Sequence, residues 1–356
     1  MELNRTFWKN RRVLVTGHTG FKGGWLSLWL QRLGAQVTGY ALAPDPNESL
    51  FVEAGVAEEM QSVFGDLRDL PALCSAVEQS RPEVVFHLAA QPLVRVSYEQ
   101  PVETFAVNLM GTVHLLEALR RIGGVISAVA VTTDKVYENV ERPDGYTETD
   151  RLGGHDPYAA SKACAELAVA SYRRSFADCP PVATARAGNV IGGGDRARDR
   201  LLPDLLQAFM TGARPLIRSP QAVRPWQHVL DPLCGYLILA QQLAETPKLY
   251  ASAWNFGPDE ESHVTVRCLL EKLGLFCGGA VEWDRLPGSH PHETACLRLD
   301  STQSRRALGW HPCWTLNTAL EQTVAWWKVR QAGGDLRAET LRQISFFETG
   351  IGGSCE

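Results

Sequence analysis

No uninterrupted apolar run approaches the roughly 20 residues needed to cross a bilayer, so no membrane-spanning helix is expected. An excess of charge is missing too: 356 residues carry a formal net charge of −5, which offers no surface for nucleic acid or anionic lipid. Nine cysteines are scattered without a C-x-x-C pair, which excludes a disulfide framework and a zinc site. His290 and His292 in "GSHPHET" read as a polar loop, and no metal is expected. Met1 to Arg12 is polar and basic and lacks the apolar centre of a signal peptide, which predicts a cytoplasmic protein. Internal repeats and low-complexity segments are absent. With 45% hydrophobic and 21% charged residues, the composition is that of an ordinary globular chain.

What is present is a rhythm. Valine-rich runs at "RVLVTG" (12–17), "AQVTGYAL" (35–42), "MQSVFGD" (60–66), "EVVFHLAA" (83–90), "VISAVAVTT" (125–133) and "PPVATARAG" (180–188) read as strands. Helical patterns separate most of them, at about 22–33, 70–80, 101–121 and 157–176. Continuous apolar strands, each followed by a helix, predict an α/β fold with a doubly wound parallel sheet, covered on both faces. After Gly188 the rhythm breaks into Gly- and Pro-rich sequence, with a further helix at about 229–244 and a strand at 253–256 that can return to the sheet. The expected division is a dinucleotide-binding domain from 1–188 and 224–256, a smaller discontinuous substrate domain from 189–223 and 257–330, and a tail, 331–356, that offers no reading.

"VTGHTGFKGGW" sets Gly17, Gly20 and Gly23 at three-residue intervals after the first strand and across the start of a helix. Glycines there allow a tight turn and let backbone N–H groups at the helix N-terminus approach a pyrophosphate. The G-x-x-G-x-x-G spacing resembles the extended short-chain dehydrogenase/reductases. That resemblance implies a nicotinamide dinucleotide held by Gly17, Thr19, Gly20, Phe21, Lys22 and Gly23. It adds Asp66 and Leu67 at the adenine, Leu88, Ala89, Ala90, Gln91 and Asn108 toward the nicotinamide, and Tyr158 and Lys162. An acid at the end of the second strand would grip a ribose 2′-hydroxyl, but Gly39-Tyr40-Ala41-Leu42 stands there. The residues alone leave NAD and NADP both open.

"DPYAASKACAE" places Tyr158 and Lys162 one turn apart on one helix face. This resembles the same family's catalytic pair, in which the neighbouring ammonium favours the phenolate so that the tyrosine takes a proton from a sugar hydroxyl. The resemblance makes Thr132 the residue that hydrogen-bonds that hydroxyl. In "TTDKVY", Asp134 and Lys135 exceed what oxidation or epimerisation needs. They resemble the sugar-nucleotide 4,6-dehydratases, where an aspartate protonates the departing C6 hydroxyl and its neighbour removes the C5 proton. That neighbour is usually glutamate; an unperturbed lysine, with a pKa of about 10.4, is protonated and cannot be a base.

Together with "HTGFKGGW", "GGGDRARDRLLPDL", "RPWQHVLDPL" and "HPHE", T-D-K resembles the branch of that family that takes CDP-glucose. The resemblance implies NAD as cofactor and deoxysugar synthesis for a surface polysaccharide such as O-antigen. It assigns Asn189, Arg200, Leu201, Arg224, Trp226, His228 and His292 to the substrate. Arg196 stands where that branch has an aromatic residue. The resemblance also implies a homodimer, or a dimer of dimers, through a four-helix bundle of the helices at 101–121 and 157–176. The rival readings are a nucleotide-sugar 4-epimerase, a 4,6-dehydratase for a dTDP or GDP sugar, and a non-catalytic dinucleotide sensor.

Overall fold

The computed structural model describes residues 3–46, 49–197, 200–279, 282–286 and 296–352. The first six strands are β1 (Arg12–Thr16), β2 (Gln36–Ala41), β3 (Gln61–Phe64), β4 (Val84–His87), β5 (Ser127–Val131) and β6 (Val182–Ala187). They are followed by β7 (Asn189–Ile191), β8 (Leu216–Ile217), β9 (Val223–His228), β10 (Ala253–Phe256), β11 (His263–Thr265) and β12 (Asp284–Arg285). Seven of these make one sheet in the order β10-β6-β5-β4-β1-β2-β3, and its pairings are all parallel.

The central strands β4, β5 and β6 are buried throughout because helices cover both faces. Leu14, Val85, Ala128 and Val182 pack with Leu73, Leu115, Leu116 and Val169 on one side. Val15, Phe86, Val129 and Val131 share the larger core with Trp25, Leu233 and Leu237 on the other. The strand order reverses between β1 and β4, and such a switch point opens a crevice at the carboxyl ends of the strands. The long helix expected at 101–121 runs from Pro101 to Ile122 through a π-helical turn, Ala106–Met110. No described helix is long and apolar enough to cross a membrane.

One expectation needs correction, and the tail gains a structure. The strand Val223–His228 does not join the main sheet: it pairs with β7 and antiparallel to β11 in a small sheet of its own. A boundary at 224 therefore cuts through a strand, and the chain re-enters the main fold only with the helix Leu230–Glu245 and β10. The tail, which offered no reading, contains the helix Leu336–Gly352. It packs against the helix Phe21–Arg32, where Phe347 meets Trp29 edge-on at 5.7 Å. Glu348 accepts from Trp29 Nε1 at 3.0 Å, Arg5 at 2.6 Å and Arg32 at 3.1 Å.

Candidate active site

The glycine loop turns at Gly17, whose φ of 80° is a conformation that glycine adopts without steric cost. The loop is also crowded. A Cβ on Gly17 would lie 2.6 Å from the Ala89 nitrogen, and one on Gly23 would collide with the Gly17 carbonyl oxygen. Gly20 caps the helix Phe21–Arg32 with no side chain in the way. This bare helix N-terminus at the switch point fits a dinucleotide pyrophosphate.

Around the loop, Thr19 Oγ1 donates to the Leu42 carbonyl at 3.1 Å, Phe21 lies under Gly192, and Leu67 packs on Gly111. Leu88 N–H bonds to the Thr16 carbonyl and Ala89 N–H to Thr16 Oγ1, which fixes the turn that continues through Ala90. Asn108, inside the π-helical turn, accepts from Gln91 N–H at 2.8 Å and donates to Ser161 at 2.9 Å. It thereby ties the loop after β4 to the helix Pro157–Ser175. Asp66 is gripped by Arg68, which lowers its pKa. Sequence reasoning gave no role to His18, which is fully buried between Phe51 and Phe64.

Tyr158, Thr133, Asp134, Lys135 and Lys22 line one cleft of ≈ 620 Å³, within the usual size of a small-molecule site. Burial raises the Tyr158 phenol to about 12, against the pull of a hydrogen bond with Thr133 and of Arg200. Lys162, one turn on, donates to the Val131 carbonyl at 3.0 Å, and burial lowers it to about 8 while Glu166 opposes the shift. Asp134 is 2% exposed. Burial raises its pKa, although Lys135, Thr133, Arg224 and Lys22 all pull the other way. Lys22 is itself lowered to about 8, first by burial and then by Arg200.

The structure brings Thr133, and not Thr132, to Tyr158. Thr132 also lines the cleft, but its Oγ1 donates to Glu166 Oε1 at 2.6 Å, so its single proton is spent there. Thr133 meets Tyr158 and donates to Asp134 Oδ1 at 3.0 Å. Glu166 also accepts from Thr184 at 2.6 Å and from two Arg186 nitrogens at 2.9 Å. Arg186 continues to the Tyr137 hydroxyl, which donates to Asn255. This buried network was missed, although Glu166 stands one turn beyond Lys162 on the same helix face.

Toward the proposed substrate side, Asn189, Arg200, Leu201, Arg224 and Trp226 all line the cleft. Arg200 pairs with Asp195 at 3.1 Å. His228 does not join them. It is fully buried, edge-on to Trp25 and 4.6 Å from Trp314, because β9 carries it beyond the cleft into the core, where burial lowers its pKa to about 3. His292 lies outside the described residues. Arg196 stacks near the Trp327 ring and pairs with Glu53 at 3.2 Å, so Trp327 supplies an aromatic beside this loop and also lines the cleft. Arg95, Tyr98 and His155 line it as well; no sequence spacing marked them.

The sequence profile of the NAD dependent epimerase/dehydratase family matches residues 13–255. CDP-glucose 4,6-dehydratase of Salmonella typhimurium is 45% identical over 96% of this chain and 98% of its own. The solved UDP-glucose 4-epimerase of Thermus thermophilus, in complex with NAD, is 27% identical with a TM-score of 0.77, covering 88% of this chain and 98% of that one. The dTDP-glucose 4,6-dehydratase DesIV of Streptomyces venezuelae, with a TM-score of 0.77 at 24% identity over 91% of this chain and 99% of its own, shares the fold. The chain belongs to the NAD dependent epimerase/dehydratase family, and within it to the 4,6-dehydratases.

Proposed function

We propose that the chain is a cytoplasmic CDP-glucose 4,6-dehydratase, which converts CDP-glucose into CDP-4-dehydro-6-deoxyglucose and water in deoxysugar biosynthesis. The observation that carries this reading is the buried Asp134 carboxyl beside Tyr158 and Thr133. A 4-epimerase has no use for an acid there, and a non-catalytic sensor has no use for the whole constellation. The nucleotide rests on the 45% identity to the Salmonella enzyme.

In this reading Tyr158 takes the proton of the C4 hydroxyl, which Thr133 steadies. Burial holds the phenol high, so a neighbouring cation matters: Lys162, one helical turn on, stabilises the phenolate while protonated. The glycine loop at Gly17, Gly20 and Gly23 would hold the dinucleotide, which would supply the redox chemistry of the cycle, oxidation at C4 and reduction at C6. Once C4 is a ketone, the C5 proton is acidic. Lys135, on the same wall, stands at the place of the base that removes it, while Asp134 gives a proton to the C6 oxygen; the C6–O bond breaks, a C5=C6 double bond forms and water leaves. C5 regains its proton from the same base. Tyr158 ends one proton richer and Asp134 one poorer, and exchange with solvent resets both. Burial favours the protonated Asp134 that this step needs.

Arg200 and Arg224 suit the diphosphate, because guanidinium forks bind phosphate oxygens in pairs. A homodimer through the helix running from Pro101 to Ile122 and the helix Pro157–Ser175 fits their exposed apolar residues, Val102 at 83% and Leu167 at 59%.

Incubation with CDP-glucose and NAD tests the reading. A 4-keto-6-deoxy sugar should appear without net reduction of the dinucleotide. Steady release of reduced dinucleotide would contradict dehydration, and turnover of dTDP-glucose or GDP-mannose with CDP-glucose inert would overturn the nucleotide.

A further inference from the structure

Asp134 has two carboxyl oxygens in different situations. Oδ1 accepts the Thr133 hydroxyl at 3.0 Å, whereas Oδ2 is buried with no hydrogen-bond partner. In a neutral carboxyl the oxygen that accepts is the carbonyl oxygen, so the proton belongs on Oδ2. Oδ2 faces the space that a side chain on Gly188 would fill. A Cβ there would stand 3.1 Å from Oδ2 and 2.6 Å from Pro225 Cγ.

The backbone does not ask for glycine at this position. Gly188 is not among the residues with positive φ, so what glycine supplies is room. Nor can the chain retreat to make more. Ala187 is paired with Phe256 in the main sheet and Asn189 with Trp226 in the small one, which clamps the residue from both sides.

We propose that Gly188 is a positioning residue for the water-loss step: its missing side chain leaves the slot in which Asp134 Oδ2 sits, and so fixes which carboxyl oxygen carries the proton to the substrate. The inference rests on the dehydratase reading of Asp134. It separates the two halves of the reaction, because oxidation at C4 runs through Tyr158, Thr133 and Lys162 and asks nothing of Oδ2.

Four forms of the holoenzyme test it with CDP-glucose: Gly188→Ala, Gly188→Ala with Pro225→Ala, Asp134→Asn, and Gly188→Ala with Asp134→Asn. The Pro225 change removes the tightest contact, with Cγ, and leaves those with Oδ2 and with the Pro225 carbonyl oxygen at 3.2 Å, so the double variant is read if the single one melts before assay. In rapid mixing, oxidation should stay within about threefold of the unsubstituted enzyme while loss of water slows at least about tenfold, so that reduced dinucleotide builds up on the protein. In the Asp134→Asn background the Gly188 change should add nothing, since its effect passes through the carboxyl. A purely structural glycine would lower the melting temperature without moving this partition. If Asp134→Asn stalls after oxidation while the Gly188/Pro225 variant partitions normally, Gly188 has no such role and the dehydratase reading stands. If Asp134→Asn passes both steps, the reading of Asp134 itself is lost.

Discussion

Two adjacent threonines with the same side chain have opposite tasks. Thr132 gives its proton to a buried carboxylate under the sheet, and Thr133 turns to Tyr158 and Asp134 in the cleft. Thr132→Val should therefore cost stability, about 1.5–3 kcal/mol for a hydrogen bond to a charged group, with kcat nearly unchanged. Thr133→Val should leave the melting temperature close to that of the unsubstituted protein and lower kcat about 100-fold. Melting curves and steady-state kinetics on the two variants decide it, and the reverse pattern would return the role to Thr132. The choice was not legible in the sequence, for a physical reason. A strand half exposed to water betrays its facing by alternation, but β5 is buried on both faces, and an apolar run carries no parity. Tyr158 with Lys162 was legible because helical spacing fixes a shared face without help from the rest of the fold. His228 failed differently: it lies on the same side of β9 as Arg224 and Trp226, but sequence does not say where a cleft ends and a core begins.

The elements of the main sheet were legible because its central strands are buried apolar runs and helices separate most of its strands. The small sheet was not, since β7 and β11 are three residues each and find their partners only through the fold. The C-terminal helix left a trace that went unused. The helix Phe21–Arg32 is buried from Gly23 to Gln31, and a helix apolar on every side needs cover on every side; Leu336–Gly352 provides part of it. A second tie of the C-terminal region acts at the helix Leu230–Glu245. Asp231 accepts the Cys313 N–H at 2.6 Å and the Trp314 N–H at 3.5 Å, while its Oδ2 is buried without a partner. Burial raises this carboxyl from the ordinary 3.8 to about 7. The folded state thus keeps its proton where the unfolded chain has lost it. Below about pH 4 the two states bind equally, and stability then falls as pH rises until the folded group also ionises near pH 7. Three pKa units amount to about 4 kcal/mol. Denaturant titrations of the unsubstituted protein and Asp231→Asn across this window should diverge from each other by that order, the variant gaining relative stability toward neutral pH. A difference that stays flat with pH would refute the assignment.

At the scale of the whole molecule, the helix that carries Tyr158, Lys162 and Glu166 inward carries Leu167 outward. Leu167 is 59% exposed, and Val102 and Met110 on the neighbouring helix are 83% and 43% exposed. Each such side chain contributes about 1.5–3 kcal/mol on full burial, and in a two-fold interface every residue is buried twice. The proposed dimer would thus brace the outer side of the two helices that hold Asn108 and Tyr158, and site order and assembly would rise and fall together. Equilibrium sedimentation at micromolar concentration should give twice the chain mass for the unsubstituted protein, or four times if dimers pair. Leu167→Glu, which would bury two like charges across the two-fold axis, should shift it to a single chain with its far-ultraviolet circular dichroism intact. An unsubstituted protein that sediments only as a single chain would remove the dimer, and a dimer indifferent to Leu167→Glu would place its interface on another face of the fold.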